Sequence, residues 1–218
     1  QVSKSLVYDL YGLTDEMTVE KFSHEIIKVL NTVKVSSLKG RIKMLGYKTD
    51  NFKDSGELVK QYVSQAALVD ELLPLISQDI NEDNGCVKRG QAVKNPNDQK
   101  LILRKYFYED DLYSVVVILI GFYNAWLDII RKYFEESTIM FKTIGFIASF
   151  YIFKELYKRL ENDKLFVNEK YDVSEIMNNE DLYIDINLIN SYKMSFLRMM
   201  EEFNFTDIDI NSISPSKS

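Results

Sequence analysis

The stretch that decides the fold is Asp111–Phe134, DLYSVVVILIGFYNAWLDIIRKYF. Val116, Leu119, Ile120, Tyr123, Trp126, Leu127, Ile130 and Phe134 recur at three- and four-residue steps, and most positions between them are apolar too. That pattern is one long helix, apolar nearly all round, which belongs at the centre of a fold. Asp110 or Asp111 supplies its acidic start. The most apolar part, Val115–Ile130, holds Asn124 and Asp128 and falls short of the roughly 20 residues a bilayer span needs, so it reads as a core helix.

Just beyond, Ser137 or Thr138 opens a second run in which Met140, Phe141, Ile144, Ala148, Ile152 and Leu156 keep helical spacing. Two such helices joined by a short polar turn make an antiparallel hairpin. The expected fold is therefore mainly α: a multi-helix domain around a central antiparallel hydrophobic hairpin, Asp111 to Phe134 and Ser137 to Leu160, with Trp126 buried in it.

Towards the N-terminus, Ser3–Tyr11 has helical spacing (Leu6, Val7, Leu10) and stops at Gly12. Thr18 caps a second helix with the stripe Phe22, Ile26, Val29, Leu30. Asn31–Lys60 is polar, basic and punctuated by Gly40, Gly46 and Gly56, which predicts loops and one short helix around Arg41–Leu45. Ser64 caps Ala66–Ile80, which Pro74 should kink or divide. Asn84-Gly85, Arg89-Gly90 and Asn95-Pro96 mark Asn81–Asn97 as a long loop, and Asp98 caps a helix through Phe107. Residues 1–160 form the helical core domain and 161–205 an acidic helical C-terminal extension of the same domain, with short helices at Asp172–Met177 and Ser191–Phe203. Residues 206–218 read as a flexible tail.

Among 218 residues, 46% are hydrophobic, 13% aromatic and 28% charged, with 8 Gly and 3 Pro, which excludes collagen-like, low-complexity and wholly disordered classes. One Cys and one His exclude a disulfide framework and a Cys/His zinc site within the chain. No HExxH, CxxC, GxSxG or glycine-rich phosphate loop occurs. His24 reads as a partly exposed helix residue beside Glu20, and Cys86 as a loop cysteine near Lys88 and Arg89. The acidic pairs at 109–111, 135–136 and 201–202 read as helix starts or solvated faces. No catalytic residue, cofactor or metal is expected, and the chain alone is not expected to be an enzyme. The absence of a signal-peptide pattern after Gln1 fits a cytoplasmic chain, and a start at Gln fits part of a longer one.

Charge is segregated by sign. From Ile26 to Thr49 there are six cations and no acid, and a second cluster, Lys88, Arg89, Lys94, Lys100, Arg104 and Lys105, has Asp98 as its sole countercharge. In a chain of net charge −6, with 12 acidic and 5 basic residues from Glu161 to Ser218, such a basic face can still bind phosphates. The candidate nucleic-acid-binding residues are Lys34, Lys39, Arg41, Lys43, Lys48, Lys88, Arg89 and Lys94, with Tyr47, Phe52, Tyr106 and Tyr108 as stacking surfaces. The alternative is that these lysines solubilise loops and answer the acidic C-terminal third in cis.

Five blocks carry a family resemblance: QVSKSLVYDLYGL at 1–13, the helix running up to Leu30-Asn31 at 22–31, RIKMLG at 41–46, VSQA at 63–66 and FKTIGF at 141–146. In this order they resemble DGQHR-domain proteins, the family that includes DndB of bacterial DNA phosphorothioation systems. The Asp-Gly-Gln-His-Arg motif itself is absent. In the family it lies in a preceding domain similar to the ParB and sulfiredoxin fold, so the chain resembles the C-terminal helical half. The resemblance implies a DNA-associated accessory or regulatory module of a DNA-modification or defence system, with DNA as partner and no membrane. Two alternatives stand beside it: a scaffold packing on its own N-terminal domain or a partner protein without nucleic-acid contact, or the half of an enzyme that closes over its site.

Overall fold

A computed structural model describes residues 3–44, 60–162 and 184–202, with the backbone of two short strands at 53–54 and 57–58. The described helices are α1 (Lys4–Gly12), α2 (Val19–Thr32), α3 (Gln65–Ile76), α4 (Ile80–Lys88), α5 (Arg104–Tyr108), α6 (Leu112–Tyr133), α7 (Thr143–Asn162) and α8 (Ile186–Glu201). The strands are β1 (Ile42–Lys43), β2 (Lys53–Asp54), β3 (Glu57–Leu58) and β4 (Val63–Ser64). β1 pairs with β4 in parallel, and β2 with β3 antiparallel. The protein is mainly α, as the hydrophobic periodicity predicts.

α6 is the axis of the core. The Asp111 carboxylate accepts from the Ser114 amide at 3.0 Å and from its hydroxyl at 2.6 Å, which starts the helix, and Phe134 leaves it in extended conformation. Among the described helices α6 alone is long and apolar enough to cross a membrane, but 89% of its most apolar window is buried inside the protein. Trp126 and Phe122 stack within it, and Phe122 meets Phe153 of α7 and Phe196 of α8 edge-on.

α7 meets α6 through rings: Tyr123 packs on Phe146 and Phe150, while Tyr106 of α5 meets Tyr157 hydroxyl to hydroxyl at 3.0 Å. These rings hold the two backbones apart. The backbone pressed closest on α6 belongs instead to α8, which runs parallel to it. The Tyr113 hydroxyl accepts from the Asp185 amide, Gly121 abuts Tyr192, and Lys193 pairs with Asp128 at 2.5 Å. A Cβ on Gly121 would lie 2.6 Å from the Tyr192 Cβ, so only glycine admits this approach.

Several local readings are corrected. The helix around Arg41–Leu45 is instead extended over its described part, because the buried Asn31 side chain donates to the Ile42 carbonyl and accepts from its amide, which leaves the segment to pair with β4. α3 stops at Ile76, two residues past Pro74, and not at Ile80. The expected loop 81–97 holds α4. Asp79 caps it, and Asn84, read as a turn residue, uses its amide to accept from Val19 N and donate to Glu20. Left-handed backbone in this stretch falls at Gly90, with φ 62°, and Asn95, with φ 49°. The expected helix 98–107 is shortened to α5, since the Leu103 amide donates to Leu75 of α3. Thr138 opens a single 3-10 turn, Ile139–Phe141, and α7 begins at Thr143. The C-terminal helix starts at Ile186 rather than Ser191; the readings at Asp172–Met177 and 206–218 lie outside the described residues.

Candidate nucleic-acid interface

The first basic stretch leaves the C-terminal end of α2 and is clamped on α6 by Asn124, whose side chain accepts from the Ser37 amide at 2.8 Å and donates to the Val35 carbonyl at 2.9 Å. With Leu38, Ile42 and Met44 turned into the core, the alternating cations are left outside. Lys34 and Lys43 are exposed and Lys39 is half-buried; none of the three has an ion-pair partner among the described residues. Lys48 lies outside those residues.

Arg41 is engaged. Its guanidinium lies 4.8 Å from the Tyr62 ring centroid and donates to the Tyr62 hydroxyl at 2.9 Å, and that hydroxyl donates to Glu136 at 2.9 Å. Burial raises the Tyr62 hydroxyl pKa; Arg41 opposes this and the Glu136 hydrogen bond adds to it. Lys60 donates to the Glu136 carbonyl, and the Arg131 guanidinium joins Arg41 in opposing the rise of the Tyr62 hydroxyl pKa. Lys60, Tyr62 and Arg131 thus join the patch without having been singled out in the sequence. Lys60 closes the same basic segment and was open to notice. Arg131 sits at the exposed end of a helix that reads only as core.

The second stretch is a different environment. Lys94 pairs with Glu82, and Arg89 donates to Gln91 at 2.7 Å. Lys88, at the last turn of α4, is the member of the three with no partner among the described residues. Arg104 is buried: it grips both Asp83 oxygens at 2.6 and 2.7 Å and donates to the carbonyls of Ile76, Lys94 and Asn95. Lys105 pairs with Glu161 at 2.9 Å. Lys94 and Arg104 are thus neutralised by local acids and Lys105 by the acidic C-terminal third, while Lys88 and Arg89 carry no ion-pair partner among the described residues. The two stretches are not brought together: α4 meets the first turn of α2 through Asn84, whereas Lys34 follows its last turn, and 14 helical residues separate these ends by about 20 Å. Tyr106 is buried against Tyr157 and offers no stacking face, Tyr108 is exposed, and Tyr47 and Phe52 lie outside the described residues.

Two further expectations change. Cys86 is buried within α4 and not in a loop. His24 is buried, and its partners are Asp9 and Glu25 rather than Glu20. Among the described residues no three His, Cys, Asp or Glu side chains gather as a metal site.

Burial by itself would raise the Glu25 carboxyl, but hydrogen bonds and charge from His24 and Lys28 outweigh it and hold the group below its ordinary value of 4.5. A carboxyl depressed in the folded state adds stability above its unfolded pKa, and that stability is lost as pH falls through the folded value. Urea midpoints should therefore drop as pH falls below about 4.5, and Glu25→Gln should make the drop shallower.

The chain matches no protein-family model, no curated protein and no solved structure. The resemblance to DGQHR-domain proteins accordingly rests on the five sequence blocks.

Proposed function

We propose that this chain is a DNA-associated accessory or regulatory module of a bacterial DNA-modification or defence system, acting in the cytoplasm and contributing no catalytic residue or cofactor. The observation that carries the DNA contact is the loop after α2, where Lys34, Lys39 and Lys43 stand without countercharge among the described residues beside Arg41. Three of the five resemblance blocks meet there: Arg41 stacks on Tyr62, next to Val63–Ala66, and Phe141 and Phe146 pack on the same ring at 5.6 and 5.9 Å. Lysines at this density contact phosphate rather than base edges, so binding should be weakly sequence-selective.

Four phosphate contacts from Lys34, Lys39, Arg41 and Lys43 would make affinity fall about a hundredfold between 50 and 200 mM salt. Fluorescence anisotropy with labelled duplex and single-stranded DNA measures this. The triple variant Lys34→Glu, Lys39→Glu, Lys43→Glu removes no internal partner, so it should keep the fold and lose binding. Unchanged affinity in that variant would defeat this placement.

A protein-interaction scaffold is the second reading, favoured by α1. Leu6, Leu10 and Leu13 form one outward stripe, 43%, 55% and 81% exposed. Absence of DNA binding by the unmodified chain at low salt would put that reading first.

A further inference from the structure

His24 is the only histidine in the chain, and both ring nitrogens face carboxylates. Nε2 lies 3.2 Å from Asp9 Oδ1 on α1, and Nδ1 lies 3.3 Å from Glu25 Oε1 on α2. An imidazolium donates from both nitrogens and satisfies both oxygens. A neutral imidazole has one N–H, so its other nitrogen turns a lone pair toward an oxygen that also carries lone pairs. The residue is only 6% exposed, which leaves little water to mediate. Gly12 of α1 is pressed on the ring: a Cβ there would come within 2.7 Å of the His24 Cε1.

What the ring holds is a lightly anchored helix. α1 fully buries only Tyr8, with Tyr11 half-buried against the core, and its other attachments are polar: Lys4 and Tyr8 on Asp70, and Lys21 reaching the Thr14 carbonyl beyond its end. Elements with few buried apolar contacts open at a lower free energy than the core.

We propose that His24 is a proton-dependent latch, which clamps α1 onto α2 when the ring is protonated and loosens α1, with the core still folded, when the ring proton is lost. Charge balance around the ring carries the argument. Asp9 faces it from α1, and Glu25 faces it from α2 with Lys28 behind at 3.2 Å. α3 contributes Asp70, which is taken up by Lys4 and Tyr8, and Glu20 of α2 is taken up by Asn84. With the ring protonated, two carboxylates face two cations. Without that proton Lys28 is the one cation left among the described residues, and it reaches Glu25, so Asp9 keeps a neutral donor.

The test follows hydrogen exchange of the α1 amides in the intact chain from pH 5 to pH 9, as protection factors corrected for the base-catalysed intrinsic rate. The single His Cε1 proton resonance is recorded in parallel and needs no assignment. Protection of α1 should fall about tenfold over the interval in which that resonance titrates, the scale of losing a charge-assisted hydrogen bond, while α6 stays protected. Asp9→Asn presents an amide that can accept from an N–H or donate to a bare nitrogen, so it should remove the dependence. The latch is overturned by any of four results: α1 protection flat across the titration, no titration in the interval, a fall shared equally by α6, or a dependence that survives in Asp9→Asn.

Discussion

Replacing Asp83 by Ala should lower the stability of the fold by about 3–5 kcal/mol, read from urea denaturation midpoints and slopes. The Arg104 guanidinium is buried between α3, α4 and the 94–95 turn, and among the described residues Asp83 is its sole carboxylate partner, held bidentately and also accepting from the Ser77 hydroxyl. The carbonyls of Ile76, Lys94 and Asn95 satisfy the other donors but bring no countercharge. Removing the carboxylate strands a charge in the interior, which costs far more than the pair contributes over an apolar substitute. The contrast is Lys94→Ala. Its ion pair with Glu82 is exposed, and the midpoint should hardly move.

Gly121→Val is expected to cost about 3 kcal/mol, the upper end of overpacking penalties, with the damage concentrated on α8. The added Cβ would meet the Tyr192 Cβ at 2.6 Å, the Lys193 amide at 3.1 Å and the Ile189 carbonyl at 3.2 Å. Two of these are backbone atoms that cannot swing aside, so α8 must move off α6 and its buried Ile189, Tyr192, Phe196 and Met200 lose their seat. Hydrogen exchange should show α8 losing protection before α6 and α2. Equal protection of α8 in the variant and the parent would contradict the close approach.

Much of the helical frame was legible because local chemistry and packing agree. Thr18 and Ser64 cap where the apolar stripes begin, and Asp111 does the same for α6. The misreadings come from residues whose side chains serve distant partners. Asn84 looks like half of a turn, yet its amide is spent on the start of α2, and Arg104 looks like surface charge, yet it closes on Asp83. Asn31 imposes extended backbone on Ile42 from eleven residues away. The basic patch was half legible. Sign segregation finds Lys34, Lys39, Arg41 and Lys43, but nothing local reveals that Lys94 is neutralised by Glu82 or that Arg131 joins from α6. A glycine in the middle of α6 signals a close neighbour without naming α8.

The parallel seating of α8 on α6 bears on how the chain is made. α7 and the whole span to Ile186 must be synthesised before the groove at Gly121 can be filled. At bacterial-to-eukaryotic elongation rates of 5–20 residues per second, those roughly 70 residues leave one side of the most apolar helix open for about 4–14 seconds on the ribosome. Pairings so distant along the chain also close slowly once synthesis ends. The nascent protein therefore displays Phe122 and its neighbours to any chaperone within reach well before it displays a finished fold.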